Sequence, residues 1–345
     1  MGDLGAGGRE RRAVLGTAAT SLEVRAATEG DRPAILGLLQ ASLGWAPDDD
    51  HARFFDWKHR QGPFGPSPAW VAVDGAGGGQ VVGFRTFSRW RFLRAGRPVT
   101  AVRAVDTATH PAHQGRGIFT LLTRHALEEL RSEGVAFVFN TPNERSRPGY
   151  VKMGWRLVGR LPVATTVRSP RSLVRLARAR RPADKWSTAS AAGVPVTDVL
   201  AEAGALAALL AAQPSDGRLR TDRSPAYLSW RYGFAPLRYR AVVAPGGVAA
   251  GVVIFRLRRR GPALELAVCE QIVPAGDDGT ATDLVRRALR EAAADHAVQI
   301  GRPCLRRRRL PVPGQGPTLA WRGLADGGIP TGDQWALDLG DVELF

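Results

Sequence analysis

The run Gln114-Gly115-Arg116-Gly117-Ile118-Phe119 holds the residue types most suited to chemistry. It follows a strand-like stretch, Val102 to Thr109, and a stop at Pro111, and it leads into an apolar-periodic helix, Leu121 to Leu130. A glycine-rich turn between a strand and a helix presents several backbone N–H groups at a helix N-terminus. The unpaired donors and the helix dipole both favour negative charge, so the turn suits a phosphate. The strand before it carries Asp106, which by the two-residue period shares a face with Ala104, Ala108 and His110. A carboxylate among Val and Ala is costly without a role or a partner. Asp106 is therefore a candidate base or amine-binding group, with a pair to Arg103 or a neighbouring arginine as the alternative. His110 and His113 flank the turn; their pKa suits a base, although loop histidines are ordinarily solvated.

The elements that must position these residues can be read from patterning. Leu22 to Ala26 is a short strand, and Thr28, Asp31 and Pro33 mark the start of a helix whose apolar face is Ile35, Leu38, Leu39 and Leu43. A second helix, Asp49 to His59, carries Phe54, Phe55 and Trp57. Their spacing favours the core for Phe54 and Trp57, and the alternative is that they wall an acceptor site together with His59. Gly62-Pro63-Phe64-Gly65-Pro66 is either an acceptor contact or a plain connector. Ala69–Val73 and Val81–Phe87 are strands joined by a glycine-rich loop at 75–79, and Arg97-Pro98 precedes the next strand. The helix after the turn ends at Gly134, Val135–Asn140 is an apolar strand, and strands alternate with turns to about Arg168.

At 345 residues the chain is long enough for two domains, and 44% hydrophobic residues suffice for ordinary cores. No apolar run reaches the roughly 18 residues that span a bilayer. Residues 1–20 read as a loose tail without an export signal, and Cys269 and Cys304 belong to no metal-like cluster. A reducing cytoplasm is the expected compartment. The formal charge of +16 is spread along the chain as arginine, without interleaved aromatics, which argues against a nucleic-acid partner.

The second half echoes the first. Phe54-Phe55-Asp56-Trp57-Lys58-His59 matches Tyr227-Leu228-Ser229-Trp230-Arg231-Tyr232 in ring, Trp, base and ring. Gly83 and Phe87 find counterparts in Gly251 and Phe255, and His110-Pro111-Ala112 in Val273-Pro274-Ala275. A tandem duplication is inferred. The expected division is 1–20 tail, 21–168 first unit, 169–195 basic connector with one short helix, and 196–345 degenerate second unit. After the shared proline the second copy has Asp277-Asp278-Gly279-Thr280, whose carboxylates would repel a phosphate. Only the first half is expected to bind a phosphate-bearing ligand.

Downstream of the turn lie Asn143, Ser146, Tyr150, Gly154 and Trp155. Together with Gln114-x-x-Gly117, they resemble the GNAT family of GCN5-related N-acetyltransferases. In that family an Arg/Gln-x-x-Gly-x-Gly/Ala motif binds the pyrophosphate of acetyl-CoA. The resemblance covers about residues 22–168 closely and 195–345 as an eroded copy. It departs at Phe119, where the family has a small residue. That ring either narrows the phosphate site or turns into the core.

The resemblance implies a mixed α/β fold: tandem units, each a central mixed sheet flanked by helices. It implies acetyl-CoA as acyl donor and no metal. The pyrophosphate would lie on the N–H groups of Gly115, Arg116, Gly117 and Ile118, with Gln114 opening the motif. The backbone at Ala108 and Thr109 would bond the pantetheine arm like an added strand, and Asn143 would hydrogen-bond it. Tyr150 falls where the family places its general acid, and Glu144 lies close to the arm. The expected reaction is direct acyl transfer to a small primary amine in the cleft between the halves. The alternative is a non-catalytic protein that senses acyl-CoA or docks on a partner or nucleic acid.

Overall fold

The computed structural model describes residues 22–76, 78–179, 181–213, 216–301, 310–311, 316–325 and 330–343. The expected tail at 1–20 and Cys304 lie outside the described residues. In chain order the first stretch comprises β1 (Leu22–Ala26), α1 (Arg32–Leu43), α2 (Asp49–Arg60), β2 (Ala69–Asp74), β3 (Gln80–Arg94), β4 (Arg97–Thr109), α3 (Ile118–Ser132), β5 (Phe137–Asn140), α4 (Arg147–Lys152), β6 (Arg156–Arg160), β7 (Val163–Val167) and α5 (Pro170–Arg178). The second comprises β8 (Val194–Pro195), α6 (Val196–Ala201), α7 (Ala203–Ala211), β9 (Leu219–Thr221), α8 (Pro225–Tyr232), β10 (Arg240–Val243), β11 (Val252–Arg260), β12 (Ala263–Ile272), α9 (Asp278–Glu291), β13 (His296–Ile300), β14 (Leu310–Pro311), β15 (Thr318–Gly323), β16 (Trp335–Ala336) and α10 (Leu339–Val342).

These elements form two mixed sheets flanked by helices. One runs β1-β2-β3-β4-β5-β15-β6, with β9 and β16 added beside β3; the other runs β8-β10-β11-β12-β13-β7-β14. In each path the fourth and fifth strands, β4–β5 and β12–β13, are parallel. The helix between them, α3 or α9, buries one apolar stripe at helical spacing: Ile118, Leu122, Ala126, Leu127 and Leu130 in α3, and Ala281, Leu284, Val285, Ala288 and Leu289 in α9. The repeated order of elements is compatible with the duplication read from the sequence.

Two features of the pairing follow from no local pattern. β7 leaves the first stretch to pair with β13, and β15 leaves the second to sit between β5 and β6. The second sheet takes β7 from the first half, and the first sheet takes β15, with β9 and β16, from the second. The echoed helices α2 and α8 also meet. The indole of Trp57 donates to the Trp230 carbonyl at 2.6 Å and that of Trp230 to the Trp57 carbonyl at 2.8 Å, with the rings stacked 5.5 Å apart. Matching residues thus bond each other reciprocally, as at a local two-fold axis.

Most expected elements are present, with differences at their ends. β3 runs on to Arg94, and β4 begins at Arg97 rather than after Pro98. Between β5 and β6 the expected strand-and-turn alternation is interrupted by α4, whose Pro148 suits a first helical turn. Leu43, expected on the buried face of α1, is 46% exposed.

Candidate active site

The turn before α3 is built for an anion. Gly115 and Gly117 have φ of +77° and +76°, which only glycine adopts cheaply, and Gly117 begins the helix with no side-chain cap. Among the described residues, the backbone N–H groups of Gly115, Arg116, Gly117 and Ile118 make no hydrogen bond. A Cβ built on either glycine would meet no atom within 4 Å, so the turn faces open space. Arg116 approaches Asp74 at 3.7 Å, and His113 reaches the same carboxylate at 3.2 Å. Gly83 lets α3 lie against β3, since a Cβ there would come 2.5 Å from Ile118 Cγ2. Ile118 therefore contributes its N–H outward and its side chain to the core.

Beside the turn β4 parts from β5. The parallel pairing covers only Ala101 to Arg103; from Ala104 onward β4 keeps its β3 partner alone. The resulting slot has orphaned buried polar atoms at both sides. Asn140, the last residue of β5, has a buried Oδ1 without a partner among the described residues. Arg85 on β3 is fully buried and donates only to the Val105 carbonyl, at 3.4 Å, leaving Nε and Nη2 unpartnered among the described residues. Unmet polar groups of this kind fit a ligand that carries amide donors and hydrogen-bond acceptors. At the slot's end Ala108 is buried, and the Thr109 carbonyl accepts the Ser42 hydroxyl at 3.0 Å.

Tyr150 and Phe119 meet at the slot, ring centroids 5.4 Å apart and edge-on. The Arg85 guanidinium lies 5.5 Å from the Tyr150 ring and 4.3 Å from that of Phe87. Phe119 packs so closely on Gly149 that a Cβ there would sit 3.1 Å from its ring. The motif's odd residue therefore turns inward, under α4, and holds the tyrosine. Asn143 spends its Oδ1 on the Ser146 backbone N–H at 2.9 Å, fixing the start of α4, so only its amide nitrogen can serve a ligand. Gln114 is exposed beside the turn. Glu144 is exposed and approaches Arg147 at 3.9 Å, and His110 accepts from the Ala112 N–H.

Asp106 is not where strict alternation puts it. Val105 and Asp106 together oppose Thr86, a β-bulge that reverses the faces beyond it. Ala104 packs in the cluster under α3, whereas Ala108 packs in the one under α1 and α2. Asp106 accordingly faces α2, where Lys58 Nζ lies 3.0 Å and His59 Nε2 2.9 Å from its carboxylate. Arg103 is not its partner; it donates instead to the carbonyls of Asp341 and Val342. Burial opposes ionisation of Asp106, but the charge of Lys58 and the contact with His59 outweigh it and hold the carboxyl below its usual range. Burial pushes both Lys58 and His59 down, against the pull of Asp106. His59 passes the contact on through Nδ1 to Ser67 Oγ at 3.2 Å.

Asp106 also borders a cavity of about 480 Å³ between the halves. Trp45 and His51 line it from the first stretch, Asp184 and Lys185 from the connector, and Arg258 and Glu343 from the second. Glu343 is spoken for by Arg256 and Arg258. The Gly62–Pro66 loop lies elsewhere: Phe64 stacks on Tyr227 of α8, 5.8 Å away.

Sequence reading missed Lys58, Arg85, Asn140 and Lys185, and it noted His59 only as a ring on α2 rather than as a partner of Asp106. One signal was available: of forty-eight basic residues only three are lysines, and two of them line this site.

A splayed parallel pair, a bare helix end and a cavity opening on the same strand together suit an extended ligand with an anionic end. Residues 23–158 match the family described as acetyltransferase (GNAT) domain. Solved structures share the fold across both halves. A GCN5-related N-acetyltransferase from Anabaena variabilis aligns with a TM-score of 0.61 at 14% identity, over 88% of this chain and 73% of that one. A probable N-acyltransferase from Enterococcus faecalis gives 0.60 at 13%, over 88% and 73%. A GCN5-related N-acetyltransferase from Kribbella flavida gives 0.56 at 17%, over 89% and 72%. No curated protein matches the chain. No helix among the described residues is long and apolar enough to cross a membrane.

Proposed function

We propose that the first half transfers an acetyl group from acetyl-CoA to the primary amine of a small molecule, directly, in a ternary complex. The observation that carries this reading is the uncapped N-terminus of α3, open to solvent at the mouth of the β4–β5 slot. Gly115 to Ile118 would hold the pyrophosphate, with Gln114 and Arg116 beside it. The slot edge at Ala108 and Thr109, with Asn140 and the amide nitrogen of Asn143, would hold the pantetheine arm. Tyr150 would return a proton to the departing thiolate, next to the positive charge of Arg85. Asp106, already paired and hard to protonate, suits anchoring the acceptor's ammonium better than removing its proton. The cavity between the halves would receive that acceptor. The division into units 21–168 and 196–345, joined by 169–195, with only the first catalytic, is part of the proposal. So is a cytoplasmic location, with which the buried free Cys269 accords.

Saturating acetyl-CoA should raise the melting temperature, and an amine panel should elicit thiol release. Tyr150→Phe should lower kcat by about 10²–10⁴-fold with acetyl-CoA binding unchanged, because the ring contacts remain. Equal kcat for the two proteins would remove Tyr150 from the chemistry. A second reading, a non-catalytic acyl-CoA sensor, is favoured by the pairing of Asp106. It predicts stabilisation without thiol release on any amine.

A further inference from the structure

The three lysines, Lys58, Lys152 and Lys185, are the only ε-amines of the chain. Lys152 is exposed on α4, and Lys58 is buried against Asp106. Lys185 is placed differently. Its backbone is fastened to the second half: Arg256 donates to its carbonyl at 2.8 Å, and the Asp184 N–H bonds the Arg259 carbonyl at 2.8 Å. Its side chain crosses to the first half, where Nζ lies 4.9 Å from the Trp45 ring and 4.9 Å from Phe54, and the ring of its neighbour Trp186 is 5.4 Å away. Among the described residues this ammonium has no hydrogen bond and no ion pair; three rings stand about it, with the charges of Lys58, Asp106 and Asp48 farther off. Rings about a cation at such distances attract it through their quadrupoles. Lys185 and Asp106 line one cavity, and Asp106 lies on the strand that edges the slot. A primary alkyl amine on a four-carbon stem therefore already stands on the acceptor side.

We propose that Lys185 is an internal acyl acceptor, acylated in cis by the first half of its own chain. The proposal rests on the acyl-transfer reading of that site. The ammonium first gives up a proton to solvent. The neutral Nζ then attacks the thioester carbonyl, the N–C bond forms, the C–S bond breaks, and the leaving thiolate takes a proton. The products are the Lys185 amide and free CoA. Rings that hold a cation lose that attraction once Nζ becomes an uncharged amide, which then fills part of the cavity. Arginine elsewhere in place of lysine leaves Lys152 as the exposed competitor.

Burial and the nearby charge of Lys58 push Lys185 below the ordinary lysine value, with Asp106 and Asp48 opposing. His51, Asp184, Arg258 and Glu343 complete the charged wall. Since the free amine reacts, the rate should rise with pH and level off below about 10.4, the usual lysine pKa.

The test is to incubate the full chain with acetyl-CoA alone, followed by intact mass and peptide mapping. One acetyl group should appear at Lys185, at a rate independent of protein concentration and on the order of a hundredfold above that at Lys152. Lys185→Arg should gain none there, yet keep its heat stabilisation by acetyl-CoA. Gly117→Glu, which keeps the lysine and loses the cradle, should gain none either. Three results would overturn the proposal: Lys185 unmodified while acetyl-CoA still stabilises the protein and amines still release thiol; Lys152 modified as fast; or a rate that climbs with protein concentration. Absence of both stabilisation and thiol release would instead bring down the acyl-transfer reading itself.

Discussion

The N-termini of α3 and α9 occupy matching places in the two sheets and have opposite chemistry. At α3 two glycines with positive φ turn their N–H groups outward and nothing caps them. At α9 the Asp277 carboxylate accepts the Thr280 N–H at 3.0 Å, and Asp278 opens the first turn. One helix end is left for a ligand, and the other is satisfied by its own side chain. The slot beside α9 nevertheless persists: a cavity of about 440 Å³ is bordered by Ile272, Val273, Asp278, Gln299 and Ile300. Parting of the parallel strands is thus common to both sheets, and the uncapped helix end is confined to one.

The largest expected effect tests that contrast directly. Gly117→Glu should abolish stabilisation by acetyl-CoA and lower kcat/KM about a thousandfold, since charge and backbone conformation are both wrong. Gly279→Glu, on α9 and with negative φ, should leave both unchanged. If the two variants behave alike, the difference between the helix ends does not decide binding. A smaller effect bears on the local two-fold. Trp57→Phe and Trp230→Phe each leave one buried carbonyl without its donor, so each should cost about 1–3 kcal/mol in denaturant unfolding. Unequal losses would show that the reciprocal bonds are not equivalent. The smallest effect concerns the cap: Asp277→Ala should lower the melting temperature slightly and should not create acetyl-CoA binding in the second half.

Much of this was written locally in the chain. Thr28, Pro33 and Gly134 punctuate helices, and β2, β3 and β4 are rich in aromatic and β-branched residues, so these elements could be read directly. The glycine turn and Tyr150 are marked by local spacing as well, and the turn does precede α3 as its positive-φ glycines require. What could not be read depends on distant partners. No pattern in Thr318–Gly323 says that it pairs with β5 and β6. One extra residue at Val105–Asp106 reversed the faces of β4 and sent Asp106 to Lys58 and His59. Phe119 looked like a blemish in a motif because its partner, Gly149, lies on another helix.

Synthesis on a ribosome gives the exchanged strands a further meaning. β5 and β6 emerge long before β15, the strand that bridges them. Until it arrives, each offers a bare edge to any other extended chain. The half with the open helix end therefore cannot finish folding as it leaves the tunnel; it must wait for its sequence-distant neighbour. β7, made early, waits in turn for β13.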